Sequence, residues 1–439
     1  MLSLLIASLS GCAPNVPHPG GQHPDVRPES AGVTNPARRE DLVLALSVPT
    51  GTSATDRLLS QLVAGAAEVD DVTRWISLGR AWSRKARESG DPGYWLSVSA
   101  CSRLARAAGS QGGEADRLDA LVLLQEHRFH AAREAAQGLL ALDHDDVEAL
   151  GLLADASLEL GDLESAIDAT QRMVDLRPGL ASYGRSAWLA WLQGDAPGTH
   201  ELYRLALGAG DSVRDPEAMA WIAVQDALAW WQHGQLVEAS QSVTIALDLM
   251  PDHAPALVMA ARIALSSGDA SKAIALAEQA LHSSPLASTA WLLADARRAI
   301  GDEVAALEAE DRVMALARAD SRTLAAFLAN RDRDSSHALA LIEDELTERG
   351  GPETEDVHAW ALYRVGRFED ALAASDRGLA TGTKEALLLY HAGAIRVALG
   401  RRGEGLALIE AALSLNPSFD ARSLAEIDAM KRSPLAQRD

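Results

Sequence analysis

The chain has 439 residues and a formal net charge of −22, from 40 basic and 62 acidic side chains. Hydrophobic residues make up 48% and charged residues 23%, which is typical of a globular protein and excludes extensive disorder. The acid excess repels phosphate backbones, so we predict no nucleic-acid partner. Two cysteines cannot support a disulfide framework or a four-ligand zinc site.

The N-terminal segment predicts that the protein is located at a membrane. Residues 1–9 are apolar but too few to cross a bilayer as a helix. The following Leu9-Ser10-Gly11-Cys12 resembles the cleavage box of a bacterial lipoprotein. That resemblance implies a signal peptide over residues 1–11 and acylation of Cys12, with two or more chains for stable anchoring.

Two details refine this prediction. No Lys or Arg precedes the apolar run, so we expect the true start codon to lie upstream. Ala13 stands where an aspartate would retain a lipoprotein at the inner membrane, and the resemblance therefore implies the outer membrane. An ordinary cytoplasmic N-terminus with a chance Leu-Ser-Gly-Cys is the alternative.

The next segments change in composition. Residues 12–40 are rich in Pro and Gly and poor in large apolar side chains, which predicts a flexible tether. Residues 41–71 are expected to cap the following region, with the leading segment from Asp56 to Glu68 at its end.

Most of the remaining chain repeats with a period of 34 residues. Gly234 and Gly268 are 34 apart, and so are Ala239 and Ala273. The glycine permits the positive φ that ends a first helix, and the small alanine lets two helices approach closely. Proline at the end of each unit stops the second helix, as at 251 and 285.

This pattern resembles the tetratricopeptide repeat, a pair of antiparallel helices. The resemblance implies an all-α fold, an αα-superhelix of about ten helix pairs over residues 72–419 with a capping helix and tail over 420–439. We predict that the first helices of the pairs begin near residues 72, 114, 148, 181, 218, 254, 287, 320, 354 and 386, and that the final helix covers 423–431.

The search for catalytic motifs finds little. The phosphate-loop, dinucleotide, His-Glu-x-x-His and Gly-x-Ser-x-Gly patterns are absent from the sequence, so we predict no enzyme activity, cofactor or metal. His127 and His130 are interpreted as turn residues and Cys101 as a small buried side chain. Chemistry hidden near Asp226, which takes a usually apolar position, is the alternative.

Ten tryptophans, against five tyrosines and four phenylalanines, are an unusual balance. In the repeats that the chain resembles, the concave wall is lined by first-helix residues offset from the apolar stripe. That resemblance implies a partner-binding groove formed by Trp188, Trp191, Trp221, Trp231, Arg262, Trp291, Arg298, Trp360, Tyr363 and Tyr390. The alternative is that these rings only fill the interior.

These observations predict a membrane-anchored, non-catalytic scaffold in the cell envelope that binds a protein or peptide in its groove. Aromatic rings give a large contact area at a low entropy cost, and guanidinium groups pair with carboxylates. A carbohydrate or peptidoglycan binder that stacks sugars on the tryptophans is the second hypothesis.

Overall fold

The computed structural model describes residues 36–49, 51, 53–66 and 71–432. Within these ranges the chain is helical and contains no strand. The described residues form 23 α-helices and one short 3-10 turn at Ala317–Ala319. The predicted all-α class is confirmed. Among the described helices, none is long and apolar enough to cross a membrane.

Two helices precede the repeats, α1 at Pro36–Ala45 and α2 at Ala54–Ala66. Ten helix pairs follow, and the two helices of a pair pack on each other. The pairs are α3 Val72–Ser89 with α4 Tyr94–Ala107, α5 Glu114–Gln125 with α6 Phe129–Leu142, α7 Val147–Glu159 with α8 Leu163–Leu176, α9 Leu180–Leu192 with α10 Ala196–Ala209, and α11 Pro216–Gln232 with α12 Leu236–Leu249.

The later pairs continue to the end of the described chain, and a single helix closes the series. They are α13 Ala254–Ser266 with α14 Ala270–Ser283, α15 Ala287–Ala299 with α16 Glu303–Leu316, α17 Ser321–Arg331 with α18 Ser335–Glu345, α19 Pro352–Arg364 with α20 Phe368–Leu379, and α21 Ala386–Ala398 with α22 Arg402–Leu415, followed by α23 Ala421–Arg432. Every first helix begins within two residues of its predicted start.

The turn between α15 and α16 illustrates how the repeat landmarks act. Gly301 ends the first helix with a φ of +80°, which a residue with a Cβ adopts only at a cost. Asp302 then caps the second helix, because its carboxylate accepts the backbone N–H of Ala305 at 3.1 Å. Ala290 and Ala306 are fully buried, as close packing of a pair requires.

The pair α17–α18 lacks the turn glycine, and the structure shows what replaces it. Asp332 and Asp334 take left-handed conformations, with φ of 51° and 49°. Asp tolerates this region better than most residues, because its short polar side chain can hydrogen-bond locally. The helix pair therefore forms in spite of the departure from the repeat pattern.

The N-terminal side of the repeats differs from the sequence prediction. Helix α1 begins at Pro36, inside the segment predicted to be a tether up to residue 40. Its last residue, Ala45, is fully buried, and Arg103 of α4 donates to Asp41 through Nε at 2.9 Å. Contacts with the later helix α4 order this short segment, and these contacts cannot be predicted from the composition of the segment itself. The remaining tether residues, 12–35, lie outside the described residues.

The described chain forms two compact units. Unit 1 contains the described residues up to Glu159 together with Leu163–Leu176, and unit 2 contains Leu160–Asp162 and the described residues from Arg177 onward. The core of unit 1 includes Trp75, Trp82 and Trp95, whereas that of unit 2 includes Phe327 and Trp360. The sequence pattern gave no sign of this subdivision, and the predicted domain bounds stay predictions.

Candidate functional site

All ten predicted groove residues belong to unit 2 and lie on the first helices of its pairs. We call this set the aromatic face. It comprises Trp188 and Trp191 on α9, Trp221 and Trp231 on α11, Arg262 on α13, Trp291 and Arg298 on α15, Trp360 and Tyr363 on α19, and Tyr390 on α21.

Most of these rings are less exposed to solvent than rings that line an open groove would be. The exposed fraction is 9% or less for each of six rings, namely Trp188, Trp191, Trp221, Trp231, Trp360 and Tyr390. Trp291, Tyr363, Arg262 and Arg298 are half-buried. The expectation of a freely accessible aromatic wall therefore needs correction, since six of its rings pack against the protein itself. Partner binding at these residues stays a prediction.

One end of the aromatic face is covered by residues much later in the chain. Glu385 immediately precedes α21, and its carboxylate accepts the indole N–H of Trp191 at 3.0 Å. The same carboxylate accepts the side-chain amide of Gln232 at 3.1 Å. The side-chain amide of Asn416 donates to the backbone carbonyl of Trp231 at 2.8 Å. These contacts join α9 and α11 to segments 153 to 194 residues away.

Two glycine turns permit this approach. Gly194 follows α9 and Gly382 precedes α21, and both have positive φ, at +75° and +90°. A Cβ added to Gly194 would overlap the carbonyl oxygen of Gly382. Because neither residue has a side chain, the two backbones come into direct contact.

The other end of the face is a stack of rings around Trp360. Its ring stacks on Tyr363 with a centroid separation of 4.6 Å and on His391 with one of 4.0 Å. The guanidinium of Arg364 lies 4.5 Å from the same ring centroid. Since Tyr363, His391 and Arg364 all lie against this ring, little ring surface remains for a sugar to stack on.

Polar partners fix this stack from two sides. The Asp356 carboxylate lies 2.9 Å from Nδ1 of His391. The Tyr390 hydroxyl donates to Glu426 of α23 at 2.8 Å, and Arg364 pairs with the same carboxylate at 2.8 Å. Helix α23 therefore contributes a half-buried polar contact to this stack.

Arginines and carboxylates lie between the two ends. Arg298 pairs with Glu303 and with Glu310, each at 3.1 Å, and Arg331 of α17 pairs with Glu310 at 2.7 Å. Arg262 differs from them, because its guanidinium lies 4.9 Å from the Trp231 ring centroid and has no ion-pair partner among the described residues. A guanidinium over an indole face is attracted by the ring electrons.

Burial shifts several pKa values at this face. It raises the pKa of Glu385 to about 7, and the negative charges of Glu353 and Asp356 add to the effect. Burial also raises the pKa of Asp295 to about 6, although Arg331 opposes the shift. The pKa of Arg262 is lowered by burial, with Asp295 and Glu385 acting in the opposite direction. The face therefore holds carboxyl groups that titrate near neutral pH.

Several contributors were missed by the sequence analysis. They are Gln232, Asp356, Glu385, His391, Asn416, Glu426 and Arg331. No local pattern marks these residues, because their partners belong to other repeats. The repeat period places a residue on a helix face, but it does not reveal which distant repeat meets that face.

The other candidates are packing or surface residues, and one prediction was wrong, because His130 lies exposed in the first turn of helix α6 and not in the preceding turn. His127 has a φ of 58°, and its ring stacks on Phe129 at 5.6 Å. Cys101 is fully buried, and burial raises its pKa, which disfavours the reactive thiolate. Asp226 accepts the hydroxyl of Ser242 at 2.6 Å and lies 2.7 Å from Nδ1 of His200.

Two further predictions concern metal binding and lipidation. The part of the chain that the structure describes contains no group of three or more His, Cys, Asp or Glu side chains arranged to hold a metal. Cys12 and the predicted signal peptide lie outside the described residues.

Similarity to known proteins was found at the level of repeats. The family model described as tetratricopeptide repeat matches residues 118–181 and 258–321. No curated protein matches the chain.

Among solved structures, the chain is similar to the type IV pilus biogenesis factor PilW, with 17% identity over 47% of this chain and 94% of that one and a TM-score of 0.40. The human IFIT1 dimer with m7Gppp-AAAA has 13% identity over 86% of this chain and 94% of that one, with a TM-score of 0.47. Pseudomonas aeruginosa PilF has 14% identity over 47% of this chain and 91% of that one, with a TM-score of 0.39. The two matched segments are therefore similar to tetratricopeptide repeats, and the ten observed helix pairs have the two-helix form of that repeat.

Proposed function

We propose that the protein is a non-catalytic scaffold that binds a segment of a partner protein on the aromatic face of unit 2. The observation that carries the proposal is the succession of aromatic and arginine side chains on the first helices α9, α11, α13, α15, α19 and α21. Stacked repeats present a long pre-formed surface, so that the receptor loses little entropy when a peptide or helix docks.

The half-buried residues are the first points of contact. Arg262, Trp291 and Tyr363 keep part of their surface accessible, and Arg262 forms no ion pair within 4 Å among the described residues. Tryptophan, tyrosine and arginine are the side chains that most often dominate binding energy at protein interfaces. The overall acid excess favours a basic or neutral partner and disfavours nucleic acid.

Photo-crosslinking in the source organism tests the binding face. A photoreactive amino acid in place of Trp291 is expected to capture a partner, which is then identified and purified. Arg262→Ala in the otherwise native chain should weaken the affinity for that partner more than about ten-fold, because interface arginines are frequent hot spots. Leu307, exposed on the second helix α16, provides the control. Crosslinks from a probe at position 307 alone, or equal affinities for Arg262→Ala and Leu307→Ala, would contradict the proposal.

We further propose that acylated Cys12 holds this scaffold at a bacterial membrane, on the periplasmic or surface side of the outer membrane. The support is the Leu-Ser-Gly-Cys box followed by Ala13. Acyl chains bury many methylene groups in the bilayer, and two or more make the attachment stable. The Cys12→Ser variant should move from the membrane fraction to the soluble fraction. Cys101→Ser is the matched control, and retention of the Cys12→Ser variant in membranes would exclude acylation as the anchor.

A further inference from the structure

We infer that Glu385 is a reversible latch, which closes the Trp191 end of the aromatic face and opens to give a partner access to these rings. The latch consists of Glu385 with its two donors, Trp191 and Gln232. The access step rests on the proposed function, whereas the opening and closing do not.

The first argument is that the latch is the kind of contact that separates without unfolding the repeats. Its donors lie at the C-terminal ends of α9 and α11, and its acceptor lies in the short connection before α21. The neighbouring backbone contact is made by Gly194 and Gly382, which have no side chains to interdigitate. Opening therefore breaks hydrogen bonds at the ends of helices and leaves the packing within each helix pair intact.

The second argument is that the closed state carries an electrostatic penalty. Glu385 is 7% exposed, and among the described residues its carboxylate is held by two neutral donors. Neutral donors compensate the lost hydration of a carboxylate only in part. Opening returns the carboxylate to water, and this relief of the desolvation penalty offsets part of the cost of breaking the two hydrogen bonds.

The charges around the latch set the direction of its pH response. Glu353 and Asp356 on α19 face Glu385 with negative charge, and Arg262 on α13 faces it with positive charge. His233 packs on Trp191 at 5.0 Å, and burial followed by the positive charges of His200 and Lys384 lowers its pKa. The lowered pKa favours the neutral form of His233, whereas the pKa of Glu385 is raised to about 7.

The sign follows from the raised pKa of Glu385, about 7 in the closed state. An open, hydrated glutamate has a pKa of about 4.3, so the closed state binds the proton more tightly. The closed state is favoured below the open-state pKa, and this advantage is lost as the pH rises through about 7. The opening equilibrium constant should be about ten-fold larger at pH 8 than at pH 6.

Hydrogen–deuterium exchange of the full chain, without a partner, tests the latch at pH 6 and pH 8. After correction for the intrinsic exchange rates, residues 186–196 and 380–388 should open about ten-fold more at pH 8. Glu385→Gln keeps an acceptor but does not titrate, and its opening should be the same at both pH values. Glu426→Gln changes a carboxylate that contacts Tyr390 and Arg364 instead, and should retain the wild-type response.

Glu385→Ala removes the acceptor and should raise exchange of both segments at either pH while the helical circular dichroism stays unchanged. Should that variant fail to fold, the Glu385→Gln comparison still decides. A ten-fold pH response that persists in Glu385→Gln, or a wild type without any response, would overturn the latch. The exchange experiment contains no partner, so its result is independent of the crosslinking experiment. If the latch opens as expected but crosslinking captures no partner, only the proposed function is refuted.

Discussion

The two units each bury a tryptophan whose indole N–H needs an acceptor, and they provide it differently. In unit 1, Trp82 donates to the backbone carbonyl of Ala45 at 2.9 Å. In unit 2, Trp191 donates to the Glu385 side chain at 3.0 Å. A backbone carbonyl has one protonation state, whereas a carboxylate changes its charge with pH. The acceptor of the first contact therefore does not titrate, whereas the acceptor of the second does.

The buried carboxylates of the two units show the same contrast. Burial alone would raise the pKa of Asp56 in unit 1, but hydrogen bonds from Lys85 and Ser53 lower it below its ordinary value. The Lys85 ammonium lies 2.7 Å from the Asp56 carboxylate. Glu385 in unit 2 has neutral donors and negative neighbours, and its pKa is raised. The two carboxylates differ in that Asp56 is hydrogen-bonded directly to a cation, whereas the donors that Glu385 has among the described residues are neutral.

The largest expected effect concerns Trp82. If this buried tryptophan did not stabilise unit 1, the contrast with Trp191 in unit 2 would not hold. Trp82 is fully buried and stacks on Tyr94 at 5.3 Å. Trp82→Ala should lower the free energy of unfolding of unit 1 by about 3–5 kcal/mol, because it leaves a large cavity. Hydrogen–deuterium exchange of residues 72–107, measured at increasing urea concentrations, gives the change in the free energy of unfolding. Leu96→Ala, at an exposed position of α4, should cost about 0.5 kcal/mol or less, and equal losses would contradict this view.

A smaller effect is expected at the glycine contact of unit 2. Gly194 and Gly301 have similar φ, at +75° and +80°, but a Cβ at Gly301 would meet nothing within 4 Å. Both Gly→Ala variants carry the same backbone strain, so their difference isolates the overlap with Gly382. Gly194→Ala should be less stable than Gly301→Ala by about 1–3 kcal/mol, and it should expose residues 380–388 to exchange. Equal stability and exchange of the two variants would show that the approach to Gly382 contributes nothing.

The smallest expected effect sharpens the contrast between the carboxylates. Since the pKa of Asp56 is lowered on folding, its stabilising contribution is present above its unfolded pKa of about 3.9 and is lost as the pH falls below that value. Asp56→Asn should make the stability of unit 1 less dependent on pH between about 5 and 3. Thermal unfolding at these pH values measures the slope, with the exposed Glu134→Gln as the control. If the stability of the Asp56→Asn variant changed with pH as steeply as that of the wild type, groups other than Asp56 would cause the acid sensitivity.

The sequence by itself determined the helix pairs and their order. Gly301, Asp302 and Ala306 act within a few residues of one another, and their local roles place each turn and each close helix contact. Such rules repeat every 34 residues, so the starts of all ten first helices were predictable. The positions of the aromatic residues on first helices followed from the same periodicity.

Tertiary structure alone decided what covers those aromatic residues. Trp191 meets Glu385 and Trp231 meets Asn416 across 194 and 185 residues. The small rotation between neighbouring pairs accumulates along the stack, and no residue near Trp191 encodes where the later pairs arrive. For the same reason, the ordering of α1 on α4 and the raised pKa of Glu385 depend on contacts between distant segments. A repeat specifies its nearest neighbours, whereas the closure of the face is a property of the assembled unit.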